Sequence, residues 1–232
     1  MSAATPFRPL PADQARGIAR AFLPDSLLGS RYHYYYVRTK LRSDPLYPGV
    51  CAALAGSSAP LLDLGCGLGL LAHALHAAGL GLRYFGADND ARKIAAARRA
   101  AARAGLANAG FQILDLARAL PPHRGSVAIL DVLQFLDADR QLQLLGQVID
   151  MLEPGARLVI RTGLYDGSQR ARITRHTDLL ARMVGWMNAA PKVYPERDRL
   201  QALFDARGLA SRFAPLYGDT PFNNWLVVAQ PR

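Results

Sequence analysis

The segment Leu61 to Leu71 reads LLDLGCGLGLL, a short apolar run closed by alternate glycines at Gly65, Gly67 and Gly69. No other stretch constrains the chain as strongly. An apolar run of this length predicts a buried strand, the glycines predict a tight turn, and LLAHALHAAG predicts a helix that ends at Gly79. A strand, a glycine turn and a helix bring backbone N–H groups to a helix N-terminus, where the main chain can hold an anionic or polar ligand closely.

The rest of the chain repeats the unit. Further strands are expected near LRYFGAD, FQILDL, VAILDVL and RLVIRTG, separated by the helices ARKIAAARRAAARAG and DRQLQLLGQVIDMLEPG, so the fold class is α/β with a parallel sheet. The tail from Asp198 reads as a helix followed by two strands, an antiparallel finish to that sheet. Residues 1–58 lack the pattern. PADQARGIARAFL, SRYHYYYVRTKL and SDPLYPGVCAAL read instead as an N-terminal helical cap preceding a domain at 59–232, and 232 residues suit one domain overall.

Composition narrows the class further. The N-terminus has no signal-peptide core and no apolar run is long enough to cross a bilayer, so a cytoplasmic protein is expected. Two cysteines, Cys51 and Cys66, suggest neither a disulfide scaffold nor a zinc cluster, and no metal is expected. The net charge of +10 rests on arginine, since Lys40, Lys93 and Lys192 are the only lysines among 28 basic residues. Scattered arginines serve solubility, or they form a docking face for an acidic carrier protein or an anionic membrane surface.

Which ligand the turn admits depends on the residues around it. A dinucleotide fingerprint G-x-G-x-x-G would place glycine where Leu70 stands. Asp63, two places before Gly65, puts a carboxylate beside the turn that repels a pyrophosphate and favours an ammonium or sulfonium. The second strand ends in GADND, whose Asp88 can accept both hydroxyls of a ribose. The third ends in Asp115-Leu116, suited to an adenine amino group and ring, and Asp131 ends the fourth. Asp63 and Asp131 have structural alternatives, as helix caps or as partners of arginines.

In order along the chain, DLGCGLG, GADND, ILDL and LDVLQFLD resemble the motifs of class I S-adenosylmethionine-dependent methyltransferases. The resemblance implies a Rossmann-like, seven-stranded, mostly parallel sheet with helices on both faces, and methyl transfer by in-line displacement. By position, Asp63 and the backbone of Gly65, Cys66 and Gly67 would hold the methionine portion, Asp88 the ribose, Asn89 the adenosine side, and Asp115 with Leu116 the adenine. Asp131 would line the junction of cofactor and substrate, and Lys40 would approach the cofactor. Where metal-dependent catechol-type relatives carry an Asp-Asn pair near the fifth strand, this chain reads VIRTGLYDG, which implies metal-independent chemistry.

The acceptor side is read from fewer residues. His176 lies three residues after Ile173 and four before Leu180, on the apolar face of an expected helix beyond strand five, and is the first choice for a general base. The alternative is a histidine satisfied by packing. Tyr32, Tyr35, Tyr36 and Tyr165 are candidates for an aromatic cage or an aryl-substrate site, and Gln134 stands where related sequences often carry a base. YYYVRTKLRSDPLY and PFNNWLVVAQ are similar to methyltransferases accompanying bacterial aryl-polyene and pigment genes, which implies O-methylation of a phenolic or hydroxylated acyl-type small molecule, either free or on a carrier protein. Other readings are an RNA methyltransferase, disfavoured because no Asn-Pro-Pro-Tyr-like motif follows strand four, an NAD-dependent oxidoreductase, and a noncatalytic cofactor-binding module. The oligomeric state is not encoded in any motif.

Overall fold

The structure is a computed structural model, and it describes residues 7–26, 28–116, 118–164, 192–218 and 223–232. The chain divides into two compact units, Met1–Pro122 and His123–Arg232. The helical segment expected as a cap therefore shares its unit with the glycine turn.

In the first unit three helices, α1 (Ala12–Arg20), α2 (Tyr32–Ser43) and α3 (Leu46–Leu54), precede β1 (Leu61–Leu64). Asp44 organises the passage from α2 to α3. Its Oδ1 accepts the Leu46 N–H at 3.0 Å and its Oδ2 binds Lys40 Nζ at 2.6 Å, so the Ser-Asp-Pro sequence does start a helix. α2 buries only Val37 and Leu41, and the Leu10 N–H bonds to the Leu41 carbonyl at 3.0 Å, fastening the segment before α1 to the end of α2. α4 (Leu70–Ala77), β2 (Tyr84–Asp88), α5 (Ala91–Arg103) and β3 (Ala109–Ile113) complete the unit, with β1, β2 and β3 pairing in parallel. Asp90 caps α5 by accepting the N–H groups of Arg92 and Lys93.

The second unit runs β4 (Ser126–Leu130), α6 (Ala138–Ile149), β5 (Leu158–Gly163), α7 (Arg197–Ala206), β6 (Leu209–Pro215) and β7 (Asn224–Pro231). β4 and β5 are parallel, and β7 pairs antiparallel with both β5 and β6, as the tail sequence predicts. β5 is buried at every position, which fits a strand covered on both sides. The strand order is β3-β2-β1-β4-β5-β7-β6, a seven-stranded, mostly parallel, Rossmann-like sheet. No helix among the described residues is long and apolar enough to cross a membrane.

One glycine is indispensable for packing as well as for its dihedral angle. Gly69 has φ of 71°, and a Cβ there would stand 2.5 Å from the Phe111 ring. Gly56 has φ of 78° with nothing within 4 Å of an added Cβ. Gly56→Ala should therefore cost about 1–2 kcal/mol, the left-handed penalty alone, and Gly69→Ala about 1–3 kcal/mol beyond that. Urea denaturation compares them, and equal costs would show that Phe111 yields freely.

Candidate cofactor and active site

The glycine turn is fastened to the end of β2. The N–H groups of Gly65 and Cys66 both donate to the Ala87 carbonyl, at 2.7 and 3.0 Å, and the Gly67 N–H donates to Asp88 Oδ2 at 2.9 Å. Gly65, Gly67 and Gly69 all have φ between 55° and 79°, a region in which a side chain is strained, so alternate glycines are what this path requires. A Cβ at Gly67 would meet nothing within 4 Å, leaving open space over the middle of the turn, where a ligand portion can lie on the backbone.

Asp63 lies beneath this turn. It is 2% exposed, and its Oδ2 accepts the Tyr84 hydroxyl at 2.6 Å while Oδ1 has no partner among the described residues. Register explains the contact. Asp63 pairs with Gly86 and Leu61 with Tyr84, so Tyr84 is one diagonal step away, and Gly86 leaves the intervening position without a side chain. Burial pushes the Asp63 carboxyl up to about 7, with the Tyr84 bond opposing and the Asp88 charge adding to the rise. Burial and the charges of Asp63 and Asp88 raise the Cys66 thiol far above its ordinary range, which disfavours the thiolate, and its sulfur packs 2.8 Å from where a Cβ on Gly86 would stand.

Because β1, β2 and β3 run parallel, Asp63, Asp88 and Asp115 come to one edge of the unit. Asp88 is 8% exposed; besides the Gly67 N–H on Oδ2, it accepts the Asp90 N–H on Oδ1 at 2.9 Å. Each oxygen keeps a lone pair for a further donor. Asn89 is exposed in the bend after β2. Asp115 and Leu116 follow β3, with Asp115 exposed and 3.5 Å from Arg118, and Leu116 half-buried.

Contributions from α2 are aromatic. Tyr32 and Tyr35 are 53% and 54% exposed, and Tyr32 stacks with Tyr36 at 6.2 Å, so the tyrosines are not core residues. His33 is held below its ordinary value, first by burial and then by the Arg99 cation, with Asp90 opposing. Lys40 turns its ammonium to Asp44.

In the second unit, Asp131 is the one described non-glycine residue with positive φ, 59°, and its carboxylate pairs with Arg161 of β5, which is 4% exposed. The Asp131 N–H also bonds to the Arg161 carbonyl at 2.8 Å. A residue held in this region at a strand end stores strain of the kind that collects at functional sites. Gln134 is buried in a short 3-10 turn, its Oε1 accepting Thr162 Oγ1 at 3.4 Å and its carbonyl accepting the N–H groups of Lys192 and Val193. Tyr165 and His176 lie outside the described residues. Sequence reasoning missed Tyr84 and Arg161; the small residue two places after Tyr84 on the same strand face was the available signal for the first, and a lone arginine in an apolar strand for the second.

Residues 61–155, from β1 through the turn after α6, match a family described as Methyltransferase domain. No curated protein matches the chain in sequence. Among solved structures, the magnesium protoporphyrin IX methyltransferase of Synechocystis PCC 6803 with bound SAH superposes with a TM-score of 0.65 at 16% identity, over 93% of this chain and 94% of that one. An O-methyltransferase family protein from Burkholderia thailandensis gives 0.66 at 20% identity, over 84% of this chain and 56% of that one. The mitomycin 7-O-methyltransferase gives 0.63 at 23% identity, over 87% and 57%. The chain thus spans a little over half the length of the last two, and at these identities the likeness establishes the fold. The fold is thus Rossmann-like, and the likeness to a methyltransferase domain in sequence is confined to residues 61–155.

The buried Asp63 carboxyl carries a stability consequence. Its value of about 7 when folded lies above the ordinary carboxylate range, so its contribution is full at about pH 4 and is lost as pH rises through about 7. Asp63→Asn should therefore be more stable than the parent at pH 8 by on the order of 2–4 kcal/mol, with the advantage vanishing near pH 4. Urea midpoints at the two pH values measure this, and a pH-independent difference would contradict it.

Proposed function

We propose that the chain is an S-adenosylmethionine-dependent methyltransferase that methylates an oxygen of a small phenolic or hydroxylated acyl-type molecule. The observation that carries the cofactor reading is the Asp88 carboxylate, fixed at the tip of β2 by the Gly67 and Asp90 N–H groups with lone pairs left for a diol. The remaining residues fit the group. Asp63 offers a buried carboxylate oxygen without a donor, the space above Gly67 accepts a ligand lying on the backbone, and Asp115 with Leu116 suits an adenine. When bound, the group would supply a methyl on a sulfonium, open to displacement by an oxygen nucleophile.

The chain's own contribution is mainly positioning, which can supply much of the barrier reduction for a two-reactant displacement. Asp88 and the glycine turn would fix the nucleoside. The aromatic face of α2 is the proposed wall of the acceptor site, where Tyr32 and Tyr36 suit an aryl ring or a cation. His176 remains the proposed base on sequence grounds. The O-methyl chemistry draws support from two structural neighbours, an O-methyltransferase family protein and the mitomycin 7-O-methyltransferase. The charge of +10 would suit an acceptor delivered on an acidic carrier protein.

Asp88→Ala should weaken S-adenosylhomocysteine binding by roughly 1–3 kcal/mol, since ribose hydroxyls lose a charged acceptor in a partly buried site. Titration calorimetry reads the loss, and unchanged binding would remove Asp88 from the site. Radiolabel transfer from the methyl donor to hydroxybenzoates, hydroxycinnamates or their carrier-protein thioesters tests the acceptor class. Transfer to RNA instead, or tight NADH binding without response to S-adenosylhomocysteine, would replace the reading.

A further inference from the structure

Core packing does not explain the hydroxyl of Tyr84. The ring packs against Phe111 with centroids 5.6 Å apart, a contact phenylalanine would make equally well. The hydroxyl instead donates to Asp63 Oδ2 at 2.6 Å, past the side-chain-free position of Gly86, while Asp63 Oδ1 is buried without a partner. A hydrogen bond to one carboxylate oxygen fixes the plane of the group and so fixes where the other oxygen stands. A buried acceptor without a donor costs stability that the fold does not recover on its own, and a ligand that brings a donor recovers it.

We propose that Tyr84 is a positioning residue of the cofactor site: by holding Oδ2 it reserves Oδ1 of Asp63 for the α-ammonium of the bound S-adenosyl compound, and the carboxyl proton is released to solvent as that cation binds. The inference rests on the cofactor reading above. The titratable groups that act on Asp63 among the described residues are Tyr84 and Asp88 of β2 and Cys66 of the turn, with Tyr47 of α3 acting on Tyr84. None of them is cationic, so among the described groups nothing offsets the Asp63 charge, and a ligand cation would favour its ionised form. The access is at Gly65 to Gly67, half-exposed and open above Gly67.

The pH dependence has a definite sign. Without ligand, burial and the Asp88 charge hold the Asp63 carboxyl at about 7, and the Tyr84 bond is the interaction that lowers it. Above that value the acid is already ionised, and affinity stays flat until the ligand's own α-ammonium begins to lose its proton, from about pH 8 upward. Below it, binding must expel a proton, and affinity falls by up to about tenfold per pH unit. Removing the Tyr84 hydroxyl moves the break to higher pH.

The test is titration calorimetry of the full chain with S-adenosylmethionine and S-adenosylhomocysteine from pH 5.5 to 9, in two buffers of different protonation enthalpy. The parent should bind both ligands with a break near pH 7 and release up to about one proton below it. Tyr84→Phe should lose about three- to tenfold in affinity at pH 7 and recover it by pH 9. Asp63→Asn should bind weakly with no slope. A Tyr84→Phe loss equal at all pH values, an unshifted break, or a slope retained in Asp63→Asn would each overturn the proposal. A slope with S-adenosylmethionine alone would give Oδ1 to the sulfonium and overturn the ammonium assignment. If the folded parent binds neither ligand at any pH, the cofactor reading itself fails.

Discussion

Two N–H groups converging on one carbonyl set the geometry of the first unit. Gly65 and Cys66 both donate to Ala87, and Gly67 donates to the Asp88 carboxylate, so the turn after β1 cannot move without the tip of β2. That tie requires a backbone path with positive φ and close approach, which is why glycines occupy Gly65, Gly67 and Gly69, with Phe111 filling the space beside Gly69. α4 then starts where the turn delivers it. A turn built in this way is preorganised by main chain rather than by mobile side chains.

Against that rigid frame, Asp63 works against stability. A carboxylate buried among apolar strand residues, with one oxygen lacking a donor, is the kind of local conflict that folds retain where a ligand uses it. Asp88 is the opposite case. It is equally part of the strand edge, yet both its oxygens are engaged by backbone N–H groups, so it holds the turn and still keeps lone pairs for a further donor. One acid is strained and the other satisfied, and both follow from register: Asp63 lies within β1 beside Gly86, while Asp88 ends β2 under the turn.

In the second unit the same economy is seen at β4 and β5. Asp131, in a left-handed conformation, is held by its own N–H on the Arg161 carbonyl and by its carboxylate on the Arg161 guanidinium. Substituting the Arg161 side chain would remove the guanidinium from the Asp131 carboxylate and leave the backbone hydrogen bond in place. The Gln134 side chain is likewise engaged with Thr162, which shapes the segment after β4 instead of leaving it to solvent.

Much of this was legible before any fold was known, because local rules act over a few residues. The strand-turn-helix around LLDLGCGLG, the helix stops at Gly79 and Gly105, the Asp44 start signal and the antiparallel tail all follow from backbone sterics and hydrophobic period, and they hold in the structure. The acids at the strand ends were legible for the same reason, since parallel strands must end on one edge. What only the tertiary structure decided is which side chains meet across elements. That Tyr84 reaches Asp63 depends on register between β1 and β2, and that Arg161 meets Asp131 depends on β5 lying beside β4. Sequence spacing fixes periodicity within an element, whereas pairing between elements is set by the packing of the whole sheet, and it is there that the buried carboxylate acquired its partner.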